Sequence, residues 1–201
     1  MKLPKRNKGW RQEPIRHGLA AKGIKTKKVI VDIGAGYTPY EKATIAIDPN
    51  LKDDEETRKY IIGEHQFHKT STGKSIKLGR DKDYEKAIKQ MKFIPAQVYY
   101  KPKTTPIITD ADEVRMSHAS YIWGISRVLP QMKKMVKPGG KIYIKDYASQ
   151  KWVYPEDHPP TAKIIRNQAK RLGLKVSKIR TYQDKEFNLP KVEATLIKPK
   201  K

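Results

Sequence analysis

The segment Val29-Ile30-Val31-Asp32-Ile33 breaks at once into Gly34-Ala35-Gly36-Tyr37-Thr38. An apolar, β-branched run ending in a glycine turn reads as a buried strand feeding a loop and a helix. A second short apolar run, residues 43–50, ends in Asp48-Pro49. Further along, Ala111–Ser117 reads as a strand. Tyr121, Ile125, Val128, Met132 and Met135 then recur at helical spacing, with a kink expected at Pro130. Lys137-Pro138-Gly139-Gly140 is the stop signal before a strand over 141–147, and residues 161–173 read as a helix between Pro160 and Gly173. Two strands close the chain, residues 174–180 and 191–198. Alternating strands and helices predict a three-layer α/β sheet, mostly parallel. The two closing strands, with no long helix between them, predict an antiparallel hairpin at one edge.

Residues 51–109 are long for one helix–strand–helix crossover, which suggests an insertion. Within them, residues 51–60 read as a charged helix and 68–80 as a basic polar loop. Tyr84, Ile88 and Met91 give 81–93 helical spacing, and 97–101 reads as a strand.

Composition narrows the chemistry. None of the 201 residues is a cysteine, which excludes disulfides, thiolate metal sites and a Cys nucleophile. No run approaches the length of apolar chain that crosses a bilayer. The first ten residues have no apolar stretch after their basic start, so no signal peptide is expected and the cytoplasm is the default. The net charge is +23, unevenly spread. Residues 1–28 hold ten Lys/Arg against the single acid Glu13, net +9, and residues 151–201 are net +8. Basic ends around a nearly balanced middle point to a polyanion, nucleic acid before membrane. The division is therefore a basic arm over 1–28 and a folded domain over 29–201. In the arm, Trp10, Arg11, Arg16 and His17 mix an aromatic with cations, a set that suits phosphate contact and base stacking.

The glycine turn lets backbone approach a ligand closely. It is not G-x-G-x-x-G, because position 39 is Pro. Asp48 strengthens it: an acid at the end of the second strand can take both hydroxyls of a ribose. Glu64, His65 and His68 have helical ligand spacing, but no complete metal site is visible and none is expected.

With these residues in view, the segments VIVDIGAG, IAIDPN, ADEVRMSH, KPGGKIYI and RLGLKV, in this order, resemble the class I S-adenosylmethionine-dependent methyltransferases over roughly residues 29–197. The resemblance implies a Rossmann-like sheet whose last strand inserts antiparallel. It implies S-adenosylmethionine as methyl donor, with Asp32, Gly34 and Gly36 of the turn, together with Ala35 and Tyr37, cradling it and Asp48 holding its ribose. Ser117 and His118 would end the fourth strand beside the transferring methyl. The third glycine of the usual turn is Thr38 here. Asp110 is a candidate for the acid after the third strand that meets adenine, or it belongs to the fourth strand.

The implied acceptor is a nucleic acid, RNA or DNA. Cytosine-C5 methylation in the resembling families uses a Cys, which is absent. Exocyclic-amine methylation commonly shows [DNS]-P-P-[FYW] after the fourth strand, where this chain has Ser117-His118-Ala119-Ser120. Lys145 stands where ribose 2′-O-methyltransferases carry a fifth-strand lysine, and Glu193 resembles their seventh-strand glutamate. The fourth-strand aspartate of that set would fall at His118. Tyr147, Trp152 and Tyr154 follow the fifth strand, where the family's substrate loops lie, and His158 reads as structural. Two other readings are a protein lysine methyltransferase and a nucleic-acid-binding module that keeps the fold without the chemistry.

Overall fold

The computed structural model describes residues 28–69, 75–77, 81–95, 108, 110–117, 124–148, 161–184 and 188–200, the side chains of 67–69 and 75–77 excepted. In chain order the elements are β1 (Ile30–Ile33), β2 (Ile45–Ile47), α1 (Glu55–His65), β3 (Phe67–Lys69), β4 (Ser75–Lys77), α2 (Lys82–Gln90) and β5 (Lys92–Ile94), followed by β6 (Ala111–Ser117), α3 (Ile125–Met135), β7 (Val136–Tyr147), α4 (Ala162–Arg171), β8 (Lys175–Gln183) and β9 (Pro190–Ile197). Seven strands form one sheet in the order β5-β2-β1-β6-β7-β9-β8. The pairs from β5 to β7 are parallel, and β9 lies antiparallel between β7 and β8. This is the predicted architecture, with the closing hairpin at one edge.

The β-branched run makes β1 a central strand with all four residues buried. Its alternate side chains feed two cores. Val31 and Ile33 join Val114, Met116, Ile142, Ile144, Ala194 and Leu196, covered by the apolar stripes of α3 (Ile125, Val128, Leu129, Met132) and α4 (Ile165, Ala169). On the opposite side Ile30, Ala46 and Phe93 pack with Ile61 of α1 and with Tyr84 and Ile88 of α2. Register places Asp32, Arg115 and Tyr143 in one row on this second side, and Ser117, Lys145 and Glu193 two residues further along. The α1/α2 side is thus apolar over β5, β2 and β1 and polar over β6, β7 and β9.

Caps explain where the helices begin. Asp54 accepts the Thr57 N–H, Asp81 accepts the Asp83 and Tyr84 N–H groups, and Thr161 accepts the Ile164 N–H. Gly173, at φ +63, follows the last turn of α4, as its predicted terminator should. The edge of β5 is closed by α1: Asp53 accepts the outward Phe93 N–H at 3.3 Å, and Arg58 donates to Met91 O at 2.9 Å while lying over the Phe93 ring.

Four expectations need correction. No helix follows β1: residues 34–44 are turns, because Pro39 and the short span to β2 leave room only for a crossover pressed on the sheet. The basic loop of 68–80 contains most of an antiparallel hairpin, β3–β4, with Phe67 opposite Lys77 and Lys69 opposite Ser75. The third parallel strand is Lys92–Ile94, the tail of the expected helix, because Phe93 and Ile94 are needed in the two cores; the expected strand at 97–101 lies outside the described residues. Lys137-Pro138-Gly139-Gly140 ends α3 without forming a loop. It lies inside β7, where the pairing with β6 shifts register between Ala111 and Glu113.

Candidate functional site

Four of the five parallel strands, β2, β1, β6 and β7, deliver the predicted residues to one end of the sheet, their carboxyl ends, where open α/β sheets bind ligands. Gly34 and Gly36 take φ +64 and +52, a left-handed backbone that glycine adopts without strain. Their turn is folded onto the end of β2. Gly34 N–H donates to Ile47 O at 2.8 Å, and Gly36 N–H donates to Asp48 Oδ2 at 3.1 Å. Asp48 Oδ1 accepts the Asn50 N–H at 2.9 Å. Both oxygens of a carboxylate have two acceptor positions, so Asp48 keeps capacity for further hydroxyl donors. Ala35 is buried in the turn, and Tyr37 is exposed, its ring meeting Tyr60 of α1 edge-on at 4.7 Å.

Asp32 is 3 % exposed, the more buried of the two carboxylates. Its Oδ2 accepts the Tyr40 N–H at 2.8 Å. Burial lifts its carboxyl from 3.8 to about 6; the Tyr40 N–H and the Arg115 charge pull the other way, and Asp48 adds to the rise. A cation arriving in this buried turn would favour the ionised carboxylate further.

At the neighbouring strand ends, Ser117 closes β6 opposite Lys145 of β7. Lys145 is in turn opposite Glu193. Glu193 is committed: Arg180 reaches its Oε2 with Nη2 at 2.5 Å and with Nε at 3.1 Å. Burial pushes the Glu193 carboxyl up, but the Arg180 bond and charge and the Tyr143 hydroxyl outweigh it and hold it below its ordinary value. Tyr147 ends β7 with the Lys191 ammonium 4.5 Å from its ring centre, and Lys191 pairs with Asp184 at 2.5 Å.

His118, Trp10, Arg11, Arg16, His17, Trp152, Tyr154 and His158 lie outside the described residues. Asp110, at φ +64, immediately precedes β6 and so stands at the opposite end of the sheet, not beside an adenine pocket. His65 stacks on Tyr84 at 3.7 Å and faces Asp81 at 3.7 Å. Among the described residues no group of three or more His, Cys, Asp or Glu could hold a metal ion.

Sequence reasoning does not find Arg115. Its guanidinium lies between two rings, 3.9 Å from the Tyr40 centre and 4.1 Å from that of Tyr143, and donates to Glu113 Oε1 at 2.8 Å. Only the alternation of polar residues along Glu113-Val114-Arg115-Met116-Ser117 hints that one side of β6 is polar.

No protein-family model matches the chain, and no curated protein matches it in sequence. Solved structures do. The 16S rRNA (adenine(1408)-N(1))-methyltransferase from Catenulisporales acidiphilia superposes with a TM-score of 0.56 at 13% identity, over 99% of this chain and 97% of that one. A variant of that enzyme with the cosubstrate SAM gives 0.57 at 13% identity, over 91% and 90%. The [4+2]-cyclase SpnF gives 0.57 at 9% identity, over 93% and 81%. Sheet order, the inserted antiparallel strand and these superpositions agree that the chain has the class I methyltransferase fold.

Proposed function

We propose that the protein binds S-adenosylmethionine at the glycine turn and transfers its methyl group to a nucleic acid. The observation that carries the first half is the meeting of Asp32, Gly34, Gly36 and Asp48 at the ends of β1 and β2. The residues present fit that donor. Asp32 offers a desolvated carboxylate to a cation, the left-handed glycines leave backbone bare for close approach, and Asp48 has acceptor positions for two ribose hydroxyls. When bound, the donor supplies a methyl on a sulfonium sulfur, which keeps the electron pair of the broken C–S bond as the acceptor's lone pair forms the new one. The chain's task is to align that acceptor and take its proton. Ser117, Lys145 and Tyr147 belong to the strand ends that would face the acceptor, and His118 is the next residue in sequence after Ser117. In this reading Ala35 and Tyr37 line the donor side.

The nucleic-acid half rests on charge. The net +9 of residues 1–28 and the net +8 of residues 151–201 lie on either side of a nearly balanced middle, and residues 65–80, around the β3–β4 hairpin, hold four Lys/Arg and no acid. Trp10, Arg11, Arg16 and His17 would add stacking and phosphate contacts. A solved structure with the same fold is an rRNA methyltransferase. Calorimetric titration with S-adenosylmethionine tests the donor site: saturable binding is expected, weakened about tenfold or more in Asp48→Ala. Absence of any binding to the wild-type protein would refute the reading.

A further inference from the structure

We propose that Arg115 is a positioning residue for the donor site: clamped between the rings of Tyr40 and Tyr143, it holds the turn that follows β1 on the Asp32 carboxylate. The inference rests on the donor-binding reading above. Three observations carry it. Residues 34–44 form no helix, so the crossover from β1 to β2 has no helical hydrogen bonds of its own and must be fastened to the sheet. Its fastening near Asp32 is Tyr40, whose N–H sits on Asp32 Oδ2 and whose ring lies against the Arg115 guanidinium. Asp32, Arg115 and Tyr143 occupy one cross-strand row, so the stack Tyr40–Arg115–Tyr143 spans from the turn to β7.

The arrangement does two things at once. Contact with both rings fixes the guanidinium, and through Tyr40 it fixes the N–H that Asp32 accepts. The same cation acts on Asp32 and favours its ionised form. The other groups facing Asp32 work against ionisation or are spectators. Asp48, from the end of β2, is repulsive, and Tyr84 of α2 is a neutral phenol whose own ionisation is disfavoured by burial and by Asp32, Asp81 and Glu41. Glu113 and Lys28 complete the cluster behind Arg115. Lys28 Nζ reaches Glu113 Oε2 at 2.7 Å, so the Arg115 charge is only partly offset.

The test measures Asp32 directly as well as donor binding. Carboxyl NMR of the cofactor-free protein gives the Asp32 titration midpoint, and calorimetry from pH 5.5 to 8.5 gives S-adenosylmethionine affinity. Arg115→Met should raise the Asp32 midpoint by about one pH unit and move the pH dependence of binding up with it. Arg115→Lys keeps the charge and should restore most of the midpoint, but not the affinity, because an ammonium cannot stack between two rings. Tyr143→Leu leaves the charge in place and should weaken binding several-fold. An Asp32 midpoint unmoved in folded Arg115→Met, or full affinity in Tyr143→Leu, would overturn the proposal. Wild-type protein that binds no S-adenosylmethionine while the midpoint still shifts would instead overturn the donor-site reading.

Discussion

Asp48 accepts the Gly36 N–H at 3.1 Å, so the end of β2 holds the turn that leaves β1. One side chain thereby shapes the glycine turn and presents the acid beside it. Asp48→Ala removes both roles. We expect S-adenosylmethionine binding to weaken by about tenfold or more, the scale of one charged hydrogen-bond acceptor removed from a site. The folded domain should persist, as judged by circular dichroism, because Asp48 lies outside both apolar cores.

Asp32 carries a cost in the free protein. Its carboxyl ionises at about 6 in the folded chain, against an ordinary value of 3.8. Between those values the folded chain holds a proton that the unfolded chain has lost, so stability falls as pH rises from about 4 to about 6 and is level above. Asp32→Asn keeps an oxygen for the Tyr40 N–H and removes the penalty. Thermal melts should show the variant more stable than wild type at pH 7–8, by up to about 3 kcal/mol, and no more stable below pH 4. The same variant should lose donor binding, the signature of a residue kept for function at the expense of stability.

The bend inside β7 depends on Gly140. A Cβ there would lie 2.6 Å from Val136 Cγ2 and 3.0 Å from the carbonyl oxygens of Asp112 and Lys137. Two of those neighbours are backbone, which cannot swing away. Gly140→Ala should cost about 1–3 kcal/mol in denaturant unfolding, whereas Gly63→Ala, with nothing within 4 Å and in the last turn of α1, should be neutral or stabilising.

The +9 arm makes a separable prediction. Removing residues 1–27 spares Lys28 and its Glu113 partner. The shortened protein should bind S-adenosylmethionine unchanged but bind RNA or DNA more weakly. Its dependence on salt should be shallower, by about 0.7–0.9 in log–log slope for each phosphate that the arm would have neutralised. An unaltered slope, measured by fluorescence anisotropy across salt concentrations, would show that the arm does not meet the polyanion.

The donor site is legible in the sequence because its parts are local. Asp32, Gly34 and Gly36 are near neighbours, and Asp48 follows one short strand later. The Tyr40–Arg115–Tyr143 stack is not legible, since it joins residues far apart in the chain through register alone. The β3–β4 hairpin is hidden by its composition: a lysine- and serine-rich segment has no alternation strong enough to separate strand from loop. The missing helix after β1 shows the reverse failure, in which a strand–glycine pattern suggests an element that the span to β2 is too short to hold. Local chemistry makes Lys137-Pro138-Gly139-Gly140 a stop signal, yet β6 pairs with Val136 and Lys141 on either side of it, and Gly139 N–H donating to Lys198 O and Gly140 O accepting the Lys198 N–H hold it within β7, with Gly139 at φ +77.

The most direct test of the account is transfer of labelled methyl from S-adenosylmethionine into a mixture of total RNA, DNA and protein, followed by separate nuclease and protease digestion. The account predicts label that ribonuclease or deoxyribonuclease releases and protease does not, reduced in Asp48→Ala. Label released by protease alone, or no label in any fraction from protein that binds the donor, would contradict it.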